Sequence, residues 1–328
     1  MSPADLDIPP LYRELFDAAG PVVRYRLVRD VLGRDDSFIQ TAHLGLELPR
    51  LTEVEALLTA QEMDGSWSGL LGADVFGEKI ATETALLRLC ELGLENHEAV
   101  QVCIEKALIP TLFHSDVIWE WEKTATDDLS RRAARQIVRD KALRLIVRAT
   151  SEMDEVLKPV FETIITEWNH YLEGGNGGRL APPTTDAYAA LCWYRWSDDD
   201  FPRVRGLVKR LVERAESVMG HPISVPEIFS PHLFQLADKW EYLARPPLFF
   251  LELELAARLG VARDLPVTQW MLDELEMRQD ADGRFRFSGD DSIEQNWYYP
   301  LDRTGSSDPS VEWTFRAALI YKLLEYDL

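Results

Sequence analysis

The organisation of this chain is read most directly from one stretch, Gln61-Glu62-Met63-Asp64-Gly65-Ser66-Trp67, which has the form Q-x-x-x-G-x-W. A helical apolar pattern ends near Gln61, and another begins further along the chain. Gly65 supplies a left-handed backbone conformation that residues with a Cβ adopt only at a steric cost. The stretch therefore predicts a tight turn between two helices, closed by a large aromatic ring.

The same pattern recurs near the end of the chain as Gln279-Asp280-Ala281-Asp282-Gly283-Arg284-Phe285, with phenylalanine in place of tryptophan. Helical apolar periodicity dominates between the two stretches, and sustained alternation of period two is almost absent. Helices paired through short glycine-bearing turns indicate stacked helical hairpins. The sequence therefore predicts an all-α protein, built either as an open solenoid or as a closed toroid.

Charge and cysteine usage limit the possible partners and the compartment. The chain has 35 basic and 56 acidic residues and a net charge of −21, so a phosphate backbone or an anionic membrane surface would be repelled. No apolar run is long enough for a transmembrane helix. The first residues are acidic, and Cys90, Cys103 and Cys192 sit in helical apolar patterns. We expect a cytoplasmic protein with reduced core cysteines and no nucleic-acid partner.

The two Q-x-x-x-G-x-aromatic stretches resemble the QW repeats of the terpene cyclase and prenyltransferase superfamily, of which squalene-hopene cyclases are members. The segments 81–94 and 185–192 are similar to inner helices of that fold. The resemblance implies an (α/α) toroid over residues 49–328, with HEAT-like helices in residues 1–48 packed on it as an extension. It further implies an aromatic-lined cavity that binds or converts a hydrophobic, isoprenoid-like small molecule.

The catalytic motifs of that superfamily are missing from this sequence. There is no Asp-x-Asp-Asp, the nearest string being Ser197-Asp198-Asp199-Asp200, and there is no Asp-x-Cys zinc signature. Asp290-Asp291-Ser292-Ile293-Glu294 has the form of a magnesium–diphosphate motif, but its irregular surroundings favour a solvated loop. We therefore predict neither a bound metal nor a cofactor.

Two acids are candidates for catalysis. Glu83 lies on the apolar face of a helical pattern, where it would be either a buried general acid or a structural acceptor for Arg88 or a helix N-terminus. Asp186 follows Pro-Pro-Thr-Thr at a helix start, where it would be either a cavity acid or a first-turn acid favoured by the helix dipole. If the protein is an enzyme, the resemblance implies acid-initiated, cyclase-like or lyase-like chemistry.

Aromatic residues are the candidates for ligand contact, since aromatic faces stabilise cations and stack on sugars, although core packing accounts for most of the ten tryptophans. The basic helical segment 127–149 is either a solvated face that pairs with the protein's own carboxylates or an anion or diphosphate site. The ligand-binding residues that we predict are Trp67, Trp119, Trp121, Trp297 and Tyr298.

Two other functions are compatible with the same fold. A non-catalytic protein-interaction scaffold would explain the missing motifs. A carbohydrate-active α/α barrel would need paired carboxylates about 5–10 Å apart across a tryptophan-lined cleft. The expected partner is therefore a hydrophobic small molecule or another protein, because fold alone does not choose between these functions.

Overall fold

The computed structural model describes residues 8–67, 80–114, 126–150, 154–173, 184–218, 246–287, 301 and 308–325. Within these ranges the regular elements are helices, apart from one isolated antiparallel bridge between Gln279 and Phe285. The predicted all-α class is confirmed. None of the described helices is both long and apolar enough to cross a bilayer.

The described helices carry the helical apolar periodicity that the sequence shows. Single turns of π-helix, which the sequence does not predict, occur at Leu27–Val31 and Ile104–Leu108. The α-helices are α1 Pro10–Ala18, α2 Pro21–Arg26, α3 Ile39–Gly45, α4 Thr52–Thr59, α5 Thr82–Glu91, α6 Glu98–Cys103, α7 Ile109–Phe113, α8 Asp128–Ala149, α9 Asp154–Leu172, α10 Thr185–Trp193, α11 Phe201–Val218, α12 Pro246–Arg258, α13 Pro266–Met277 and α14 Ser310–Glu325.

By its internal contacts the chain divides into two units, each made of segments that are distant in sequence. The first contains Met1–Thr59, Arg88–Leu94 and Asp238–Leu328, and the second contains Ala60–Leu87 and Glu95–Ala237. The proposed division into an extension of residues 1–48 and a toroid of residues 49–328 stays a prediction.

The first unit has an aromatic core between α12 and α14, which pack against each other. Helix α12 is buried from Pro246 to Ala257, as its nearly continuous apolar sequence predicts. The ring of Phe250 stacks on the indole of Trp313, with centroids 5.3 Å apart and planes 3° from parallel. Offset stacking of this kind stabilises a core beyond the area that it buries.

A network of charges is buried beside this core. Arg26 and Arg316 are 2% and 1% exposed, and both contact the carboxylate of Glu91, at 3.3 Å and 3.5 Å. Asp30 contacts Arg26 at 2.8 Å and Arg29 at 2.6 Å. Burial by itself raises the pKa of Asp30, but the two guanidiniums outweigh that effect and hold the pKa well below its usual value. The network therefore keeps Asp30 ionised in the folded protein.

We predict that Asp30→Asn destabilises the protein at neutral pH by about 3 kcal/mol, because it leaves two guanidiniums short of a carboxylate. The lowered pKa means that the stabilisation by Asp30 is complete above its unfolded-state pKa of about 3.9 and is lost as the pH falls towards the folded-state pKa. Urea unfolding between pH 7 and pH 3 measures this. The difference in the free energy of unfolding between wild type and variant should become smaller as the pH is lowered.

Glu55→Gln is the matched control, since Glu55 is an exposed acid on α4 of the same unit. Its stability should follow the wild type over the whole pH range. If the difference in the free energy of unfolding between Asp30→Asn and wild type stayed constant over this pH range, the lowered pKa of Asp30 would be contradicted.

The Q-x-x-x-G-x-W stretch forms the predicted turn in the second unit. Gly65 has φ +84°, and its N–H donates to the carbonyl of Glu62 at 2.9 Å. The Gln61 amide closes the turn by donating to the carbonyl oxygens of Gly65, at 3.0 Å, and Ala99, at 2.7 Å. The backbone N–H of Trp67 then donates to Thr82 Oγ1 at 2.9 Å, which anchors the turn to the start of α5.

The turn in the first unit is built in the same way. Gly283 has φ +77°, and the Gln279 amide donates to its carbonyl oxygen at 3.3 Å. The N–H of Phe285 donates to Thr314 Oγ1, at 3.0 Å, on the following helix α14. The repeated pattern in the sequence therefore corresponds to a repeated set of hydrogen bonds, including a threonine hydroxyl that the pattern does not contain.

The two glycines allow a matched test of what each turn requires. A Cβ on Gly65 would lie 2.8 Å from the Val102 carbonyl oxygen, whereas the nearest atom to a Cβ on Gly283 is 3.8 Å away. We predict that Gly283→Ala costs about 1–2 kcal/mol, the conformational term alone, and that Gly65→Ala costs more because a backbone oxygen must move as well. Urea unfolding of the two variants measures this, and equal costs would contradict the steric argument.

The three cysteines are buried, as predicted for core residues. Burial, with a smaller contribution from the charge of Asp64, raises the pKa of Cys103 to about 12, so this side chain is a thiol at neutral pH. Its environment does not favour a reactive thiolate.

Candidate ligand-binding site

The basic helix α8 organises the candidate site in the second unit. Asp127 begins the helix by accepting a hydrogen bond from the N–H of Ser130 at 2.8 Å. Basic side chains then occur on two opposite faces of the helix. Lys141, Arg144 and Arg148 follow the helical spacing of one face, and the second set, on the other face, is Arg131, Arg132, Arg135 and Arg139.

The first face meets α10 through a buried ion pair. Thr184 caps α10 by accepting from the N–H of Ala187 at 3.1 Å, which places Asp186 in the first helical turn. Arg144 donates to Asp186 Oδ1 at 2.7 Å, and both side chains are 9% exposed. Burial lowers the pKa of Arg144, an effect that the charges of Asp186 and Glu83 oppose. Asp186 therefore acts as an acceptor for a buried cation.

Glu83 lies near the same face. Its Oε1 is 3.6 Å from Lys141 Nζ, and its side chain is 19% exposed. Arg88, which we expected as a possible donor to Glu83, instead binds Glu53 through two contacts of 2.7 and 2.9 Å in the first unit. Glu83 therefore faces the basic helix α8 through Lys141.

Two further contacts complete the paired face of α8. Arg148 lies 3.1 Å from Glu95 Oε1, and its guanidinium carbon lies 4.3 Å from the centre of the Trp193 ring. Near the middle of the helix, Thr184 Oγ1 donates to Asp140 at 2.7 Å. The pairing of the basic segment with the protein's own carboxylates is confirmed on this face, but the arginines there are buried and not solvated as predicted.

The other face of α8 borders an open groove of about 930 Å³ between α7, α8 and α9. Part of its wall is apolar and part is charged. The apolar residues are Leu112, Phe113, Leu143, Pro159, Val160 and Ile164, and the charged and polar residues are Asp128, Arg131, Arg132, Arg135, Gln136, Arg139, Asp140, Thr163 and Glu167. Such a groove fits a ligand that has both an apolar part and a polar part.

The predicted catalytic acids, Glu83 and Asp186, both approach α8, where the charge of each acts on Arg144. The sequence predicted the two acids and the basic segment 127–149 separately, and it did not predict that Glu83 and Asp186 are the carboxylates that meet this segment. The three-and-four-residue spacing of Lys141, Arg144 and Arg148 is the signal that would have predicted a basic stripe facing a neighbour. Catalysis by either acid stays a prediction.

Trp67 is the one predicted ligand-binding residue within the described ranges. Its side chain is 1% exposed, and its backbone both donates to and accepts from Thr82 Oγ1. The turn thus accounts for its position without a ligand, and ligand contact stays a prediction. The predictions that lie outside the described residues are Trp119, Trp121, Trp297, Tyr298 and the acidic stretch Asp290-Asp291-Ser292-Ile293-Glu294.

Three comparisons were made with known proteins. No family model matches the chain, no curated protein matches it, and no solved structure matches it.

We predict that Asp186→Asn lowers the free energy of unfolding by about 3 kcal/mol, because Arg144 would remain buried without its carboxylate. Asp128→Asn is the matched control. It removes the same charge from the exposed pair that Asp128 forms with Arg131 at 3.0 Å, and exposed pairs contribute little. Urea unfolding of both variants measures the difference, and equal effects would show that the Arg144 pair is no more important than the exposed one.

Proposed function

We propose that this protein is a terpene cyclase-like helical protein of the (α/α) toroid type that binds a hydrophobic, isoprenoid-like small molecule. The observation that carries the proposal is the groove beside α8, with its apolar wall. Comparable pockets of about 300–1,000 Å³ hold small molecules in other proteins. Helix α9 contributes Pro159, Val160, Thr163, Ile164 and Glu167 to the wall, and of these Val160 and Ile164 are aliphatic and suit a branched hydrocarbon chain.

The two turns support the superfamily part of the proposal. Each uses a glutamine amide to close a glycine turn and a threonine hydroxyl from the following helix to hold the aromatic residue. A repeated structural unit of this kind is shared by open solenoids and closed toroids that are assembled from helical hairpins. The closed arrangement of the hairpins remains part of the proposal.

Binding is proposed ahead of conversion because of the partners of the two acids. Asp186 accepts a hydrogen bond from the buried Arg144 at 2.7 Å, which accounts for its position without a substrate. Glu83 lies 3.6 Å from Lys141. Acid-initiated chemistry needs a protonated donor beside the substrate. The described acids are therefore better suited to holding α8 in place than to starting a cyclisation.

The proposal is tested by isothermal titration of the full chain with farnesol, a neutral isoprenoid alcohol, together with a variant that fills the groove. Val160→Trp puts an indole on the apolar wall and should weaken farnesol binding at least about tenfold, since the apolar chain loses its contacts. Val156→Trp is the control, because Val156 lies one turn earlier on α9, is 39% exposed and does not line the groove.

The expected result is farnesol binding in the wild type and in Val156→Trp, with the loss confined to Val160→Trp. Absence of binding in the wild type, or equal binding in both variants, would reject the groove as an isoprenoid site. Mass spectrometry of compounds extracted from the protein purified from its own cells then identifies the natural ligand.

A further inference from the structure

Another cavity lies in the first unit, between α1, α2 and the helical segment that includes α3. Its volume is about 400 Å³, which is in the range of small-molecule sites. Three apolar and three polar residues form its wall, namely Phe16, Pro21, Leu44, Arg24, His43 and Glu47. All six belong to the first unit, so this cavity shares no residue with the groove beside α8.

Arg24 is held in place by the end of α1. Its Nε donates to the carbonyl oxygen of Phe16 at 2.9 Å, and its Nη2 donates to that of Asp17 at 3.1 Å. Both carbonyls lie in the last turn of α1, where the helix itself supplies no donor. The guanidinium carbon also lies 5.4 Å from the centre of the Phe16 ring. The backbone and the ring therefore fix the orientation of the guanidinium before a ligand binds.

The described residues use one edge of this guanidinium and leave a second edge for a ligand. A guanidinium has five N–H donors in a planar fork. The contacts with α1 take the N–H of Nε and one N–H of Nη2. The second edge consists of one N–H from Nη1 and one from Nη2, which are parallel. Two parallel N–H donors match the two oxygens of a carboxylate, so Arg24 is suited to bind a carboxylate in the cavity.

Glu47 brings a negative charge to the same cavity. The backbone stays helical from α3 to Glu47, whose N–H donates to the carbonyl of Leu44 at 3.2 Å. His43 is four residues earlier and therefore its neighbour on one side of this segment, where the imidazole is a further donor or acceptor. Within the part of the chain that the structure describes, Glu47 and Arg24 form no ion pair although both line the cavity. Two opposite charges are therefore presented to a ligand.

The apolar part of the wall is well ordered by packing. Phe16 and Leu44 are 4% and 8% exposed, and Pro21 begins α2. Side chains that are almost buried and still border a cavity offer their apolar surface to its occupant. The wall as a whole therefore matches a small ligand that has a carboxylate, a cationic group and an apolar body.

We propose that this cavity binds a free amino acid with an aliphatic side chain, such as leucine. Its carboxylate is bound by the second edge of Arg24, its ammonium group by Glu47, and its side chain lies against the apolar residues of the wall. An amino acid has all three groups on one carbon atom, so a single small molecule meets the three requirements. The inference does not depend on the proposed function, which concerns the groove in the second unit.

The test uses three probes that share one side chain. They are leucine, N-acetylleucine, which keeps only the carboxylate charge, and leucinamide, which keeps only the ammonium charge. Isothermal titration of the full chain should show leucine binding about tenfold tighter than either derivative, or more, because each derivative loses one charge-assisted contact. The difference should shrink as salt is raised, since Glu47 is exposed to solvent.

Glu47→Gln tests the contact with the ammonium group. It should weaken leucine binding about tenfold and leave N-acetylleucine binding unchanged, since that probe has no ammonium group. Glu55→Gln is the matched control, because Glu55 is an exposed acid of the same unit that does not line the cavity. It should bind all three probes like the wild type.

Arg24→Lys tests the contact with the carboxylate. Lysine keeps the positive charge but does not offer two parallel N–H donors in a plane. Binding of leucine and of N-acetylleucine should therefore weaken about tenfold, and binding of leucinamide should stay the same. Arg24 also holds the end of α1, so circular dichroism checks the helical fold of this variant, and Glu47→Gln tests the site independently of it.

Several outcomes would overturn the inference. Absence of leucine binding in the wild type would reject the site, whatever the result with farnesol at the groove. Equal affinity for the three probes, or unchanged leucine binding in Glu47→Gln, would reject recognition of the two charges. Tighter binding of N-acetylleucine than of leucine would identify the cavity as a site for the carboxyl terminus of a peptide and not for a free amino acid.

Discussion

The second unit depends on how the charges of α8 are neutralised. A guanidinium taken out of water is strongly destabilising unless a carboxylate accompanies it, so Arg144 can be buried only where Asp186 meets it. That requirement ties the start of α10 to the middle of α8. Thr184, which caps α10 and donates to Asp140, reinforces the same alignment with a second contact one turn away. The position of the groove on the opposite face of α8 follows from this alignment.

In the first unit, two buried guanidiniums share one carboxylate. Glu91 receives both Arg26 and Arg316, which come from the beginning and the end of the chain. A single carboxylate thus joins elements that local sequence cannot connect. The guanidinium of Arg26 also lies over the ring of Phe315, with 5.3 Å between the guanidinium carbon and the ring centre, so that its face is covered by an aromatic surface while its edge is hydrogen-bonded.

Much of the local structure was predictable because it depends on residues close together in sequence. Positive φ at Gly65 and Gly283 and the start of α14 after Asp308-Pro309 follow from local rules for turns and caps. The choice of ion-pair partners was not predictable. Arg88 selects Glu53 instead of Glu83, and Glu83 faces Lys141, because these distances are set by packing between helices and not by spacing within one. The π-helical turns have no characteristic sequence pattern. The groove was not predictable because its wall is formed by residues from three different helices.

The turn at residues 61–67 contains one almost fully exposed side chain and one fully buried side chain, four residues apart. Met63 is 97% exposed, whereas Trp67 is 1% exposed and is held through its backbone. The hydrogen bonds that define the turn use Gln61, Glu62, Gly65 and the backbone beyond, and none of them uses the side chain of Met63. The tip of this turn is thus a natural attachment point for a fluorophore, a spin label or an inserted peptide, since exposed loop tips tolerate such changes best. A reporter placed there would follow motions of the unit while the anchoring residues keep their contacts.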